Sequence, residues 1–266
     1  MNQDLVKEKL LLLETEMSFE GENDFKVTFS GKKSQIVNGL YKPDLKEIII
    51  HNKNFSDDNS LIYTAIHEFA HHISYINSGG LRTSKSHSSA FWSLFHRLLI
   101  RAEDLGVYKN IFESNLEFVK LTGEIKEKYL TKNGELMKEF GKVLASAMEL
   151  CLKYNVRFED YVDRGLLLPR NTAKSLVNIY AMDVNPKIGY ENMKIVASIK
   201  DDDKRLESQN AFLEGQSPDM VKNSLSSENK NDNVKDRLEK ERLRIEKTIE
   251  NLRKKLEEID SKLEEF

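Results

Sequence analysis

The apolar residues Ile62, Ile66, Phe69, Ile73 and Ile76 recur at steps of four, three, four and three, and His67-Glu68-Phe69-Ala70-His71 runs through the middle of that stripe. Such spacing predicts a helix from about Ser56 or Asp57, whose side-chain oxygens can cap the first turn, to about Ser78. Gly79 and Gly80 end it. A helix with a continuous apolar stripe has to bury it against a second layer. The step of four then sets His67 above His71 on one face, with Glu68 offset toward the same opening.

Residues upstream supply that second layer. Phe25 to Phe29 alternates as a strand, and Gln35 to Tyr41 with Glu47 to His51 reads as a hairpin. Its connection, Lys42-Pro43-Asp44-Leu45, has proline where a type I turn takes it. The expected fold class is therefore α+β, a small antiparallel sheet packed on the histidine-bearing helix. Residues 1–17 form an amphipathic helix: the short run Leu10 to Leu13 lies among Lys7, Lys9, Glu14 and Glu16, which is not the pattern of a signal peptide. A loop from Leu81 to Ser86 leads to a second helix from about His87 to Leu105, closed by Gly106.

Length allows one well-cored domain with appendages or two small ones, since the chain has 266 residues. The expected division is a compact α+β domain over 1–107, a helical domain over 108–200, a disordered linker over 201–233 and a coiled-coil helix over 234–266. Sparse apolar residues among Asp, Ser, Asn and Lys mark the linker. In the last segment Leu238, Ile245, Ile249, Leu252, Leu256, Ile259, Leu263 and Phe266 make a heptad seam that only Arg242 interrupts. Either a single charged helix folding back on the body or self-association with a partner helix satisfies that seam.

A net charge of -3 gives no global basic field, so nucleic-acid affinity would need a local patch. Residues Tyr161 to Tyr180, with Arg170, Thr172 and Lys174 early in a helix after a glycine break, faintly resemble a helix-turn-helix, though plain helical packing gives the same pattern. One cysteine, Cys151, excludes internal disulfides and multi-cysteine metal ligation, and its apolar helical setting fits a buried thiol. No stretch approaches the roughly 18 apolar residues of a membrane span, and cytoplasmic residence is the expectation.

The H-E-x-x-H pattern within a helix points to metal chemistry. Zinc suits two or three neutral imidazoles, because it takes nitrogen at about 2.0–2.1 Å in tetrahedral geometry and leaves a position for water. Glu68, beside His67, cannot easily reach the ion but can take a proton from that water and pass it to a leaving amine, acting as general base and then acid. Two histidines need a third ligand, and His87, His96, Glu103 and Asp104 are all within reach along the chain. His72 points about 100° away from His71. His87 is preferred, because the positive end of a helix dipole keeps its ring neutral and the glycine-containing loop lets the two helices bring their histidines together. For transition-state stabilisation Tyr75, Arg82 and His96 are in the neighbourhood, and nothing in the sequence selects among them.

Thr64-Ala65-Ile66-His67-Glu68-Phe69-Ala70-His71 followed by His87-Ser88-Ser89-Ala90-Phe91-Trp92 resembles the SprT-like and YgjP-like group of minimal zinc peptidases. The resemblance covers about Val37 to Leu99. It implies a zincin-type fold, His87 as third zinc ligand beside His67 and His71, and an edge strand able to pair with an extended protein or peptide substrate. The family's zinc ribbon has no counterpart in the C-terminal half. The expectation that follows is a zinc metallopeptidase with Glu68 as its catalytic residue. Its rivals are a non-enzymatic adaptor working through the helical region and the heptad seam, with a structural metal or none, and a DNA-associated regulator.

Overall fold

The computed structural model describes residues 1–17, 19, 24–80, 86–227, 239, 242–250, 252–254 and 256–257. Helix α1 (Gln3–Glu16) starts at an Asn2 cap and buries Val6, Leu10 and Leu13. Three short strands follow: β1 (Lys26–Phe29), β2 (Gly39–Lys42) and β3 (Glu47–Ile50). Helices α2 (Asp58–Asn77) and α3 (Ser89–Asp104) complete a first core that runs from Val6 to Val107. The fold is α+β and helix-rich, as composition and periodicity foretold.

Among the described residues the strands form one sheet in the order β1-β3-β2, and it is mixed rather than antiparallel. β2 pairs antiparallel with β3 in the hairpin, but β1 runs parallel to β3, with Lys26 opposite Glu47 and Phe29 opposite Ile50. The expected all-antiparallel sheet is corrected for a physical reason. Glu47-Ile48-Ile49-Ile50 is the most apolar of the three strands, and Ile48 and Ile50 are fully buried, so it takes the centre and leaves β2 as an edge. The first hairpin arm is also shorter than expected, starting at Gly39 instead of Gln35. Asn54 donates to the Ser34 carbonyl at 2.8 Å and to Asn38 Oδ1 at 2.9 Å, while the Ser34 hydroxyl accepts from Ile36 and Val37, which holds 34–38 as a loop.

Beyond α3, a single turn α4 (Ile111–Ser114) leads to α5 (Leu116–Ile125), which continues through π-type turns over 126–131 into α6 (Lys132–Lys153). Residues 111–130 are exposed throughout. One turn, α7 (Phe158–Asp160), precedes α8 (Arg170–Ala181) and α9 (Tyr190–Ala197), and α8 packs closely on α6, where Gly141 lets the Leu176 carbonyl approach. Cys151 is a buried free thiol.

The expected linker over 201–233 is folded as far as Ser227. Helices α10 (Asp202–Leu213) and α11 (Pro218–Ser227) bury Phe212 and Val221 in a second core with Ile179, Val184 and Met193. The few apolar residues of that stretch are placed where two helices can use them. Residues 228–233 lie outside the described ones. Of the expected coiled-coil segment, 242–250 is helical with Ile245 and Ile249 exposed, while Leu238, Ile259, Leu263 and Phe266 lie outside the described residues. No helix among the described residues is long and apolar enough to cross a membrane.

Candidate metal centre

α2 delivers the first two histidines. Its cap is Asp57, which accepts the Ser60 N–H at 2.7 Å, and Leu61, Ile62, Ala65, Ile66, Phe69, Ala70 and Ile73 form the buried side. With that side fixed against the sheet, His67 and His71 emerge together, their ring centroids 5.0 Å apart. α3 begins two residues later than expected, at Ser89. Ser88 is its cap, accepting the Phe91 N–H, so His87 stands just outside the helix on the chain that enters it.

The side chains that open α3 set the position of His87. Trp92 stacks on its ring at 5.4 Å between centroids, and Phe91 stacks on His71 at 4.3 Å. His87 Nε2 lies 3.1 Å from His67 Nε2, and one nitrogen from each of His67, His71 and His87 falls within 4.8 Å of the others. A tetrahedral ion bound by nitrogen at about 2.0–2.1 Å separates its ligand atoms by about 3.4 Å, so the cluster has the size to hold a metal ion. Burial and the neighbouring imidazoles push both His67 and His71 down to about 4, leaving the rings neutral, as ligation requires.

No protein-family model, curated protein or solved structure matches this chain.

Glu68 is buried, at 7% exposure, beside the histidines. Burial pushes its carboxyl up to about 7, and the backbone N–H of Tyr41 opposes that shift by favouring the ionised form. The carboxyl therefore sits between its two protonation states near neutral pH. Edge strand β2 covers it from one side, and a cleft of about 750 Å³ opens between that strand and α2, bounded by His67, Glu68, His71 and His87 together with Tyr41 and Tyr75.

The other sequence candidates lie elsewhere or serve other contacts. His96 faces α11, its Nδ1 2.8 Å from the Ser217 hydroxyl, and Glu103 is bonded to Asn110. Arg101 is paired with Asp104 at 3.6 Å. His72 is fully buried between Phe25 and Phe69, with Nδ1 2.9 Å from the Tyr41 hydroxyl. Its Nε2 meets no partner among the described residues. Tyr75 lines the cleft, while Arg82 lies outside the described residues. In the stretch that resembles a helix-turn-helix, Arg164 is paired with Asp160 and Arg170 with Asp163.

Two residues of the cleft were not singled out by the sequence, Gly39 and Tyr41. A glycine inside a strand pattern is a sign that another group approaches closely, and at Gly39 an added Cβ would meet Thr64 Cγ2 at 2.9 Å. Tyr41 shares its side of the strand by the two-residue alternation, and its hydroxyl, pushed up to about 12 by burial, ties β2 to α2 through His72.

Proposed function

We propose that this chain is a zinc-dependent metallopeptidase with a zincin-like catalytic core of the SprT-like and YgjP-like kind, His67, His71 and His87 holding the ion and Glu68 serving as general base. The proposal rests on one observation: the imidazoles of His67, His71 and His87 converge on one point, and a buried carboxyl stands next to them in a cleft walled by a strand that is an edge among the described residues. An all-nitrogen set with no acidic member suits zinc better than magnesium or calcium, which take oxygen ligands.

A zinc ion held there would supply Lewis-acid polarisation of a carbonyl and ready ionisation of water near neutral pH. The protein's own share is positioning and proton transfer. Glu68, too close in sequence to His67 to share the ion easily, lines the cleft beside Gly39 and the backbone of Tyr41. It can accept a proton from water and deliver it to the departing amine of a cleaved peptide bond. Among the described residues the edge of β2 is unpaired, so it can take an extended chain and hold a scissile bond over that carboxylate.

The test is Glu68→Gln in zinc-loaded protein. The expected result is loss of hydrolysis of an unfolded protein substrate by at least about 100-fold, with zinc content unchanged, since general acid–base groups contribute about that much or more. Unchanged hydrolysis in the variant would remove Glu68 from the chemistry. Full hydrolysis without any metal would remove the peptidase mechanism altogether.

A further inference from the structure

If the cleft cuts polypeptide, its walls also define what kind. β2 is an edge strand, and the His51 N–H donates to the Asn38 carbonyl, so the antiparallel alternation turns the backbone of Leu40 and Lys42 toward β3. The backbone groups of Gly39 and Tyr41 consequently face the free edge. The Tyr41 N–H is turned toward Glu68, and among the described residues the Tyr41 carbonyl and both groups of Gly39 are left for an incoming extended chain.

Apolar side chains stand in the open at both ends of this edge. Val37, just before β2, is 42% exposed, and Leu45, just after it, is 65% exposed; both line the cleft. Pro43 and Tyr75 extend the apolar wall on the Leu45 side. Large exposed apolar residues rimming a groove mark a place where apolar groups of a ligand are received. The charges on the rim, Lys42 and Asp44, are of opposite sign and give no preference for an acidic or a basic chain. Seven residues, 38–44, lie between Val37 and Leu45, and the four of them that form β2 extend about 13 Å, the reach of some four residues of extended peptide. Glu68 lies between the two ends, against Gly39 at the start of β2.

We infer that the substrate is an unfolded polypeptide segment with large apolar side chains on both sides of the bond that is cut, and that Val37 and Leu45 select them. The inference rests on the hydrolytic reading above and adds a substrate class to it. Folded proteins keep such segments buried, so the cleft is suited to chains that have lost or not yet gained their structure.

The experiment uses the full chain loaded with zinc and two fluorescent peptides of equal length and charge, one carrying Leu and Phe on the two sides of the central bond and one carrying Ser and Asn. Binding is read by anisotropy in the Glu68→Gln background, with and without Val37→Ser and Leu45→Ser, and cleavage is read in the wild type. The expected preference for the apolar peptide is at least about 10-fold in both readouts, and it falls toward one when Val37 and Leu45 are replaced. Equal binding of the two peptides, or a preference that survives both replacements, overturns the inference. Apolar-selective binding without any cleavage by the wild type would overturn the peptidase reading and leave the groove's selectivity standing.

Discussion

Gly39 lies against Glu68: a Cβ added to the glycine would stand 3.0 Å from Glu68 Cγ, closer than side chains ordinarily approach. The edge strand and the carboxyl that it covers are thus fitted to each other with no room for a methyl group. Gly39→Ala must move β2 outward or turn Glu68 aside, because Thr64 Cγ2 and the Ile49 carbonyl block the remaining directions. On the peptidase reading kcat/KM should fall by about 10-fold or more, since displacements well under 1 Å at a reacting group are costly. Zinc content should not change. A variant with wild-type kcat/KM would show that the strand's distance from Glu68 has no part in the reaction.

His87 and His96 make a second comparison. Both were candidates for the third ligand by spacing, and the structure brings only His87 to His67 and His71, while His96 bonds Ser217. His87→Ala should therefore weaken zinc binding by more than about 100-fold, beyond what changes around a ligand set usually cost. His96→Ala should leave it unchanged. Metal analysis after dialysis against a weak chelator, run on wild type and both variants, decides the matter, and equal losses would refute the ligand set.

That contrast also shows where sequence was legible and where it was not. α2 could be read almost to the residue, from an Asp57 cap to an end before Gly79, because a cap, a stripe and a pair of glycines all agree. The neighbourhood of His67, His71 and Glu68 followed from helical geometry alone. Strand order could not be read this way. Nothing in Phe25 to Phe29 says that it lies parallel to β3 and not antiparallel, since four residues of alternation carry no direction. The side-chain bonds of Asn54 that stop the hairpin at Gly39 join residues 16 to 20 positions apart, and no local pattern announces them.

Glu47 gives a prediction in pH. It sits on the central strand opposite both Lys26 and Lys42, and its Oε1 accepts from the Thr28 hydroxyl at 2.7 Å. That hydrogen bond first, and the two lysines after it, hold the carboxyl below the usual range. A carboxyl with a depressed folded pKa stabilises the fold fully above its unfolded value of about 4.3, and the stabilisation is lost as pH falls through the folded pKa. Glu47→Gln should lower Tm at pH 7 by about 2–4 °C, corresponding to roughly 1 kcal/mol. Once the pH has fallen through that depressed folded pKa, the variant and the wild type should melt alike. A gap that persists or widens in acid would mean that the carboxylate's charge is not what ties the three strands.

Phe212 tests the segment that composition mistook for a linker. Between 201 and 227 the chain is rich in Asp, Ser, Asn and Lys, and an average over that window hides two buried apolar residues, Phe212 and Val221, placed one on each of α10 and α11. Both are buried against Ile179, Val184 and Val196, and α11 returns to the first core, where Asn223 bonds the Ser93 hydroxyl at 3.4 Å. Truncating an aromatic ring in such a core costs about 3–5 kcal/mol, whereas in a solvated linker it costs nothing. Phe212→Ala should therefore lower the urea midpoint of the helical region markedly and expose Ser217 to Ser227 to limited proteolysis. Since α11 also packs on α3, the helix that His87 enters, the same variant should hold zinc less firmly than wild type at urea concentrations where the wild type is still folded. An unchanged midpoint would return residues 201–227 to the status of a linker.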